Sequence, residues 1–305
     1  MIIKKRKLYD LTEINSFLQN EEKYHLQIRN FMQETQSEYQ DFRIPVPQEF
    51  ENIFTHFYFA ENTSAYPVTK TLLPSYQTLF LFCFGEQAAI STREGLVIEV
   101  NKCLLFGPVR KSFEYTLPSQ TSILVANFKD DAFFRFFGKL APQHYPAADP
   151  DKVLKENCFT NLWHQLIEID SPEDRVNHIL EFCHPYLRHQ DSTGLLLSNL
   201  DDNFLNPIKV VAEQTQQTER NIQRKQKEQF GYSLKEIHRY KRFLNAIKMI
   251  EEKTGEQERI KWFTIIDECG YYDQSQLIHD FKHYLNIPPA QYLKLQQHIC
   301  NPKSD

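Results

Sequence analysis

Between Thr218 and Lys248 the chain carries nine basic residues, Arg220, Arg224, Lys225, Lys227, Lys235, Arg239, Lys241, Arg242 and Lys248, against three acids, Glu219, Glu228 and Glu236. The 305 residues as a whole carry a formal charge of −5. A basic zone inside an acidic molecule is the electrostatic footprint of a face that meets phosphate. Within it, Thr218, Arg220, Asn221, Gln223 and Arg224 lie close together. An Arg fork matches two acceptors on a guanine edge, and an Asn or Gln amide matches adenine, each pair giving about 1–3 kcal/mol of discrimination. A second set of this kind, Gln274, Ser275, Gln276, His279 and Lys282, follows later. Lys225, Lys241 and Lys282 have the chemistry of phosphate contacts, which fix register and make binding salt-dependent.

Such residues act only if short helices hold them outward. Ile208, Val211 and Ala212 mark the inner face of one helix, and Gln214–Gln217 a polar turn. Thr218 is an N-cap for the next helix, with Ile222 inward. After Phe230-Gly231, Ser233 opens a longer helix reaching to about Ile250. The layout then recurs: Ile265 and Ile266 point inward, Gly270 permits a sharp turn, and Asp273-Gln274-Ser275-Gln276 opens another helix with Leu277 and Phe281 inward. Asn286 suits a left-handed helix end, and Pro288-Pro289 starts a last helix with Tyr292.

The stretch from Asn206 to Leu293 resembles the double helix-turn-helix domain of the AraC/XylS family. The first half matches at Ala212, Thr218-x-Arg220-x-Ile222-x-Arg224, Gly231-x-Ser233, Arg242 and Ala246. The second half matches more closely, at Gly270-Tyr271-x-Asp273-Gln274-Ser275-x-Leu277, Phe281-Lys282 and Ile287-x-Pro289-x-x-Tyr292. The resemblance implies a bacterial, cytoplasmic transcription regulator whose two reading helices enter successive major grooves of promoter DNA. By position, Arg220, Gln223 and Arg224 would read from the first helix, and Gln274, Ser275, Gln276 and His279 from the second. The chain departs from the family in having Gln226 where Phe is usual, Ile266 for Ala and Asn286 for Gly. Its turn over 251–259 is longer than usual and acidic, so it is expected to point away from DNA.

The expected fold class is α+β: an N-terminal β-sandwich or cupin-like domain with flanking helices over 1–200, then an all-α double helix-turn-helix domain over 201–305. The boundary is placed at the polar break Asp201-Asp202-Asn203. A polar helical zone is read over 8–40, and strands over 53–59, 78–84, 87–92, 96–99, 103–106, 113–116 and 122–128. From Asp131 the chain reads as helix to its end, with a capped start at Ser171-Pro172-Glu173-Asp174. Apolar helical faces over 152–187 either pack on the β-domain, the favoured reading, or form the seam of a homodimer. Phe54, Phe57, Tyr58, Phe80, Phe82, Phe84 and Phe113 either fill a core or line a barrel pocket for a small-molecule effector. The segments Leu73-Pro74-Ser75-Tyr76 to Phe84-Gly85 and Phe106-Gly107-Pro108 resemble an uncharacterised domain that precedes AraC-type helices.

Enzyme chemistry finds little support. His56 stands alone, and His144 lies past the strands, so the His pair of a cupin metal site is missing and neither metal nor cofactor is expected. There is no nucleophile elbow, phosphate loop or dinucleotide fingerprint, and 8 glycines disfavour a phosphate-binding fold. The six cysteines lack metal-ligand spacing and read as buried thiols of a reducing compartment. No apolar run suits a membrane span or signal peptide. Two readings stay open beside the regulator: an adaptor whose degenerate helix-turn-helix binds protein, and a cupin-type enzyme with a DNA-binding tail.

Overall fold

The computed structural model describes residues 38–138, 147–200, 206–255, 260–295 and 299–300. The first part comprises β1 (Tyr39–Ile44), β2 (Phe54–Asn62), β3 (Val68–Leu72), β4 (Leu79–Phe84), β5 (Ala88–Ser91), β6 (Val97–Val100), β7 (Cys103–Phe106), β8 (Phe113–Leu117) and β9 (Thr121–Phe128). Helix α1 (Ala132–Phe137), the short β10 (Ala147–Ala148), and helices α2 (Pro150–Leu154), α3 (Cys158–Leu166), α4 (Pro172–Cys183) and α5 (Ser192–Ser198) follow. The last part holds α6 (Pro207–Gln214), α7 (Glu219–Phe230), α8 (Leu234–Gly255), α9 (Trp262–Glu268), α10 (Gln274–Leu285), α11 (Pro289–Leu295) and β11 (Ile299–Cys300).

Strand order is β1-β2-β9-β4-β7-β10 in one sheet and β11-β3-β8-β5-β6 in the other. Pairing is antiparallel except where β11 runs parallel to β3. The mixed class expected from sequence, antiparallel sheets first and helices after, is the one observed. The strand β4 shows why its sequence is apolar at every position. Leu79, Leu81 and Cys83 point between the two sheets, while Phe80, Phe82 and Phe84 point the other way, onto the helices. A strand covered on both faces has no polar side to alternate with. In β9, Ile123 and Val125 likewise face the second sheet, and Leu124, Ala126 and Phe128 face the helices.

Most of the aromatics singled out in the sequence therefore sit outside the sandwich. Phe54, Phe57, Phe80, Phe82 and Phe84 pack with Phe159, Leu162, Val176 and Ile179 of α3 and α4. Phe113 alone of the seven is buried between the sheets, with Tyr58 packed against that layer. The helices over 152–187 thus cover the β-domain, the favoured of the two readings. Ser171 caps α4 by accepting from the Asp174 N–H at 3.2 Å.

The expected strands are present with ends moved by a few residues, but β1 and β3 were not foreseen. Their side chains are mostly exposed or half-buried, so neither shows a clean apolar alternation. The polar helix read over 8–40 lies outside the described residues except at its end, where Tyr39 and Gln40 are already strand. The all-helical reading after Asp131 is corrected by β10, which extends the first sheet through β7, and by β11, which extends the second. His144 and the break at 201–203 lie outside the described residues. Burial pushes the thiol pKa of Cys83 up to about 11 and that of Cys103 to about 12, so both stay protonated at neutral pH.

Candidate nucleic-acid interface

The first helix-turn-helix unit is α6 and α7. Asn206 caps α6 by accepting from the Lys209 N–H at 3.2 Å. Pro207 occupies the first turn of that helix, where its missing N–H costs nothing. Gln216 takes a positive φ of 53° in the turn. Thr218 then caps α7, accepting from the Asn221 N–H at 3.3 Å. Ile208, Val211, Ala212, Ile222 and Phe230 form the small core, joined by Leu197 from α5. Gly231 ends α7 at a φ of 80°. A side chain would strain that conformation. Ser233 and Glu236 make a reciprocal capping box at the start of α8. The Ser233 N–H donates to the Glu236 carboxylate at 2.8 Å, and the Glu236 N–H donates to Ser233 Oγ at 3.3 Å.

The second unit, α9 and α10, repeats the plan. Gly270 turns at φ 71°, Asp273 accepts from the Gln276 N–H at 2.8 Å, and Asn286 ends α10 at φ 63°. Leu277, Phe281 and Tyr284 of α10 pack against Tyr240, Phe243, Ala246, Ile247 and Ile250 of α8, and Tyr292 of α11 joins them. The caps and turns read from the sequence lie where they were expected, but the turn read over 251–259 is corrected, since α8 continues to Gly255 and residues 256–259 lie outside the described residues.

On the outer faces, Thr218, Arg220, Gln223, Arg224, Lys241, Gln274, Ser275, His279 and Lys282 are exposed. Asn221, Lys225 and Gln276 are half-buried. Arg224 donates to Asn221 Oδ1 (2.8 Å) and pairs with Glu228 (3.2 Å), while Asn221 donates to Gln217 Oε1 (2.5 Å). Gln276 Oε1 accepts from the Tyr272 N–H (2.9 Å), and His279 Nδ1 lies 3.0 Å from Arg239. Lys225 turns back toward the β-domain side and reaches Thr193 Oγ1 of α5 at 3.4 Å.

Both helices border one groove of about 1110 Å³. Gln223 lines it from α7, and Gln276 and His279 from α10, with Lys235, Arg239 and Arg242 of α8 between them. Its lining holds four cations, Lys227, Lys235, Arg239 and Arg242, against two acids, Glu219 and Asp280. Gln226 is buried at this wall.

The basic zone is less free than its composition suggests. Asp280 is buried, and both Arg239 (2.7 Å) and Arg242 (2.8 Å) pair with it. Burial works against the Arg242 charge, but the hydrogen bond and charge of Asp280 outweigh it, so the Arg242 pKa is raised. Arg242 also stacks over the Tyr271 ring at 4.5 Å, and Arg239 over the Tyr284 ring at 5.6 Å. Each ring face attracts the guanidinium charge above it. Sequence reading missed Asp280 because it sits far along the chain from both arginines.

The β-domain is in contact with both units. Tyr76, at φ 57°, places its ring 4.7 Å from Tyr240, 5.5 Å from Tyr232 and 6.5 Å from Tyr284. The Tyr240 hydroxyl donates to the Pro74 carbonyl at 2.5 Å. Helix α1 packs on α7. Among the described residues, no group of three or more His, Cys, Asp or Glu could hold a metal, and no helix is long and apolar enough to cross a membrane.

No protein-family model matches the chain, and no curated protein sequence matches it. Solved structures that it resembles include ToxT from Vibrio cholerae O395, at 15% identity and a TM-score of 0.37, covering 85% of this chain and 98% of that one. Unsaturated-fatty-acid-bound ToxT from Vibrio cholerae strain SCE256 aligns at 12% identity and 0.35, covering 88% and 98%. An RmlC-like cupin protein from Desulfovibrio desulfuricans aligns at 9% identity and 0.25, covering 30% of this chain and 84% of that one.

Proposed function

We propose that the chain is a sequence-specific DNA-binding transcription regulator of the AraC type, controlled through its N-terminal β-domain. The observation that carries this reading is the shared groove: Gln223 of α7 and Gln276 and His279 of α10 line the same cation-rich concavity. Two capped helices with exposed Arg and Gln opening on one side suit a duplex whose successive major grooves recur about every 34 Å. Residues 1–200 form the regulatory part and 201–305 the DNA-binding part, with α5 bridging them through Leu197. Arg220, Gln223, Arg224, Gln274, Ser275, Gln276 and His279 read bases. Thr218 and Asn221 support the first helix, and Lys225, Lys241 and Lys282 serve phosphate once the duplex is bound. Promoter DNA is the partner, and a small-molecule effector acts on the β-domain.

Selection of bound fragments from a genomic library tests this reading. A recurrent site with two half-sites is expected. Replacing Arg224 or Gln276 by Ala should weaken the selected site by about 1–3 kcal/mol and random duplex by much less. Equal loss on both duplexes would remove these residues from base reading.

One observation favours a second reading. The start of α5 clasps the first unit: Gln217 donates to Thr193 Oγ1 (3.2 Å), Lys225 reaches the same hydroxyl, and Gln229 donates to Asp191 (3.4 Å). A unit held in this way suits an adaptor that binds protein. It predicts duplex affinity that barely changes with salt, whereas the regulator predicts a steep fall.

A further inference from the structure

The carboxyl end of α10 is finished by the β-domain. A helix leaves its last four carbonyls without partners of its own. In α10 the Asn286 N–H takes the Lys282 carbonyl at 3.0 Å. The next two are served from outside the unit. Arg93 donates to the His283 carbonyl at 3.1 Å and, through its other terminal nitrogen, to the Tyr284 carbonyl and to Ser112 Oγ. The Ser112 N–H donates to the same Tyr284 carbonyl at 3.0 Å.

Arg93 sits in the turn between β5 and β6, closed by Thr92 N–H to Leu96 O (2.8 Å) and Gly95 N–H to Thr92 O (3.1 Å). Ser112 immediately precedes β8, which pairs with β5. Both donors therefore belong to the second sheet and move with it. A guanidinium is suited to this place because the helix dipole is negative there and its fork spans two carbonyls. Half-burial lowers the Arg93 pKa to about 10, so it remains charged at neutral pH. A cavity of about 480 Å³ lies beside the contact, lined by Arg93, Ser112, Leu285, Asn286 and Ile287. The Tyr284 ring is buried against Tyr76, Tyr240 and Phe243, so the cavity opens just beyond it, at Leu285, Asn286 and Ile287, where the hydrogen bonds from Arg93 and Ser112 finish the helix.

We infer that Arg93 is a positioning residue of the second recognition helix: the β5–β6 turn grips α10 by its carboxyl end and sets the angle at which Gln274, Ser275 and Gln276 meet a duplex. This rests on the DNA-reading role proposed above. Asp280 fixes the middle of α10 to α8 through its two arginine pairs. A small displacement at Tyr284 therefore becomes a tilt at Gln274, ten residues or roughly 15 Å away along the helix axis. A shift in the second sheet has a direct mechanical route to the reading residues.

Amide hydrogen exchange on the full chain, paired with binding to the duplex recovered by genomic selection, tests the inference. In Arg93→Met, which keeps the apolar stem, exchange at Tyr284–Ile287 should rise about tenfold while Leu81 and Leu124 in the first sheet keep their protection. Affinity for the selected duplex should fall about tenfold, with footprint protection lost at one half-site. Arg93→Lys should recover part of both, since an ammonium reaches fewer carbonyls. Unchanged exchange in α10, or equal acceleration in the sheet, would show that Arg93 serves only the β-domain. Faster exchange in α10 with unaltered duplex affinity would also overturn the positioning role. If the wild-type chain recovers no duplex at all, the DNA-reading proposal fails first, and this inference fails with it.

Discussion

The two helix-turn-helix units share a plan but are held in different ways. The second is built on a buried cluster that runs from Leu73 and Tyr76 of the β-domain through Tyr240, Phe243 and Ile247 of α8 to Phe281, Tyr284 and Tyr292. The first has a smaller cluster of Leu197, Ile208, Val211, Ala212, Ile222 and Phe230, and a buried amide, Gln226, stands on the same face as Ile222 and Phe230. It is tied further by hydrogen bonds to Thr193 and Asp191 at the start of α5, by the packing of α1 on α7, and by Arg110, which donates to the Gly231 carbonyl. The difference teaches that two repeats of one plan can be secured by different means, one by a buried core continuous with the β-domain and the other by a smaller core and more polar ties.

The largest test of that contrast is Asp280→Ala. The Asp280 side chain is 2% exposed, and Arg239 and Arg242 are 30% and 24% exposed. Removing the acid leaves two guanidinium groups over Tyr284 and Tyr271 without their counter-charge. Loss of a buried pair costs about 3–5 kcal/mol, and the partial exposure of both arginines places this case at the lower end. The matching change in the first unit, Glu228→Ala, breaks an exposed pair with Arg224. That loss should cost under about 0.5 kcal/mol. Urea unfolding midpoints measure both. Comparable losses would mean that the second unit is not the more firmly held.

The same contrast marks where sequence stops being informative. Thr218, Ser233, Asp273, Gly270 and Asn286 were legible because each acts within a few residues of its own position, through a cap or a positive φ. The strand β4 was legible because an unbroken apolar run has few solutions. The destination of its phenylalanines was not legible, since a period of two says which residues share a face but not which layer covers it. Asp280, Arg93 and Tyr76 act on partners far along the chain. Nothing near Asp280 predicts its two arginines, and nothing near Arg93 predicts the end of α10. The basic zone looks freer in sequence than it is for that reason, because the acid that Arg239 and Arg242 share lies outside it.

A middle-sized effect separates local from tertiary support. Thr218→Ala and Asp273→Ala each remove one N-cap bond, at 3.3 and 2.8 Å. Either loss is worth about 1 kcal/mol to its helix. Global stability should therefore fall by similar amounts. Amide exchange at the start of the helix should rise more for α7 than for α10, because α10 is also held by Asp280 and by the β-domain at its far end. Equal fraying in the two helices would erase the contrast.

A last effect, no larger than the loss of a cap, runs in the opposite direction. Gln226 lies one turn from both Ile222 and Phe230 and is 4% exposed, so an amide interrupts an otherwise apolar stripe on α7. Gln226→Leu is close in volume and should extend that stripe, raising stability by about 0.5–1 kcal/mol. The gain should appear in thermal unfolding as an increase of a few degrees or less in Tm. It should also slow amide exchange within α7 while leaving α10 unaffected, bringing the first unit closer to the second. A lower Tm would show instead that the Gln226 amide is held in polar contacts at the groove wall. In that case the residue would belong to the interface, and the looseness of the first unit would have to be sought in its ties to α5.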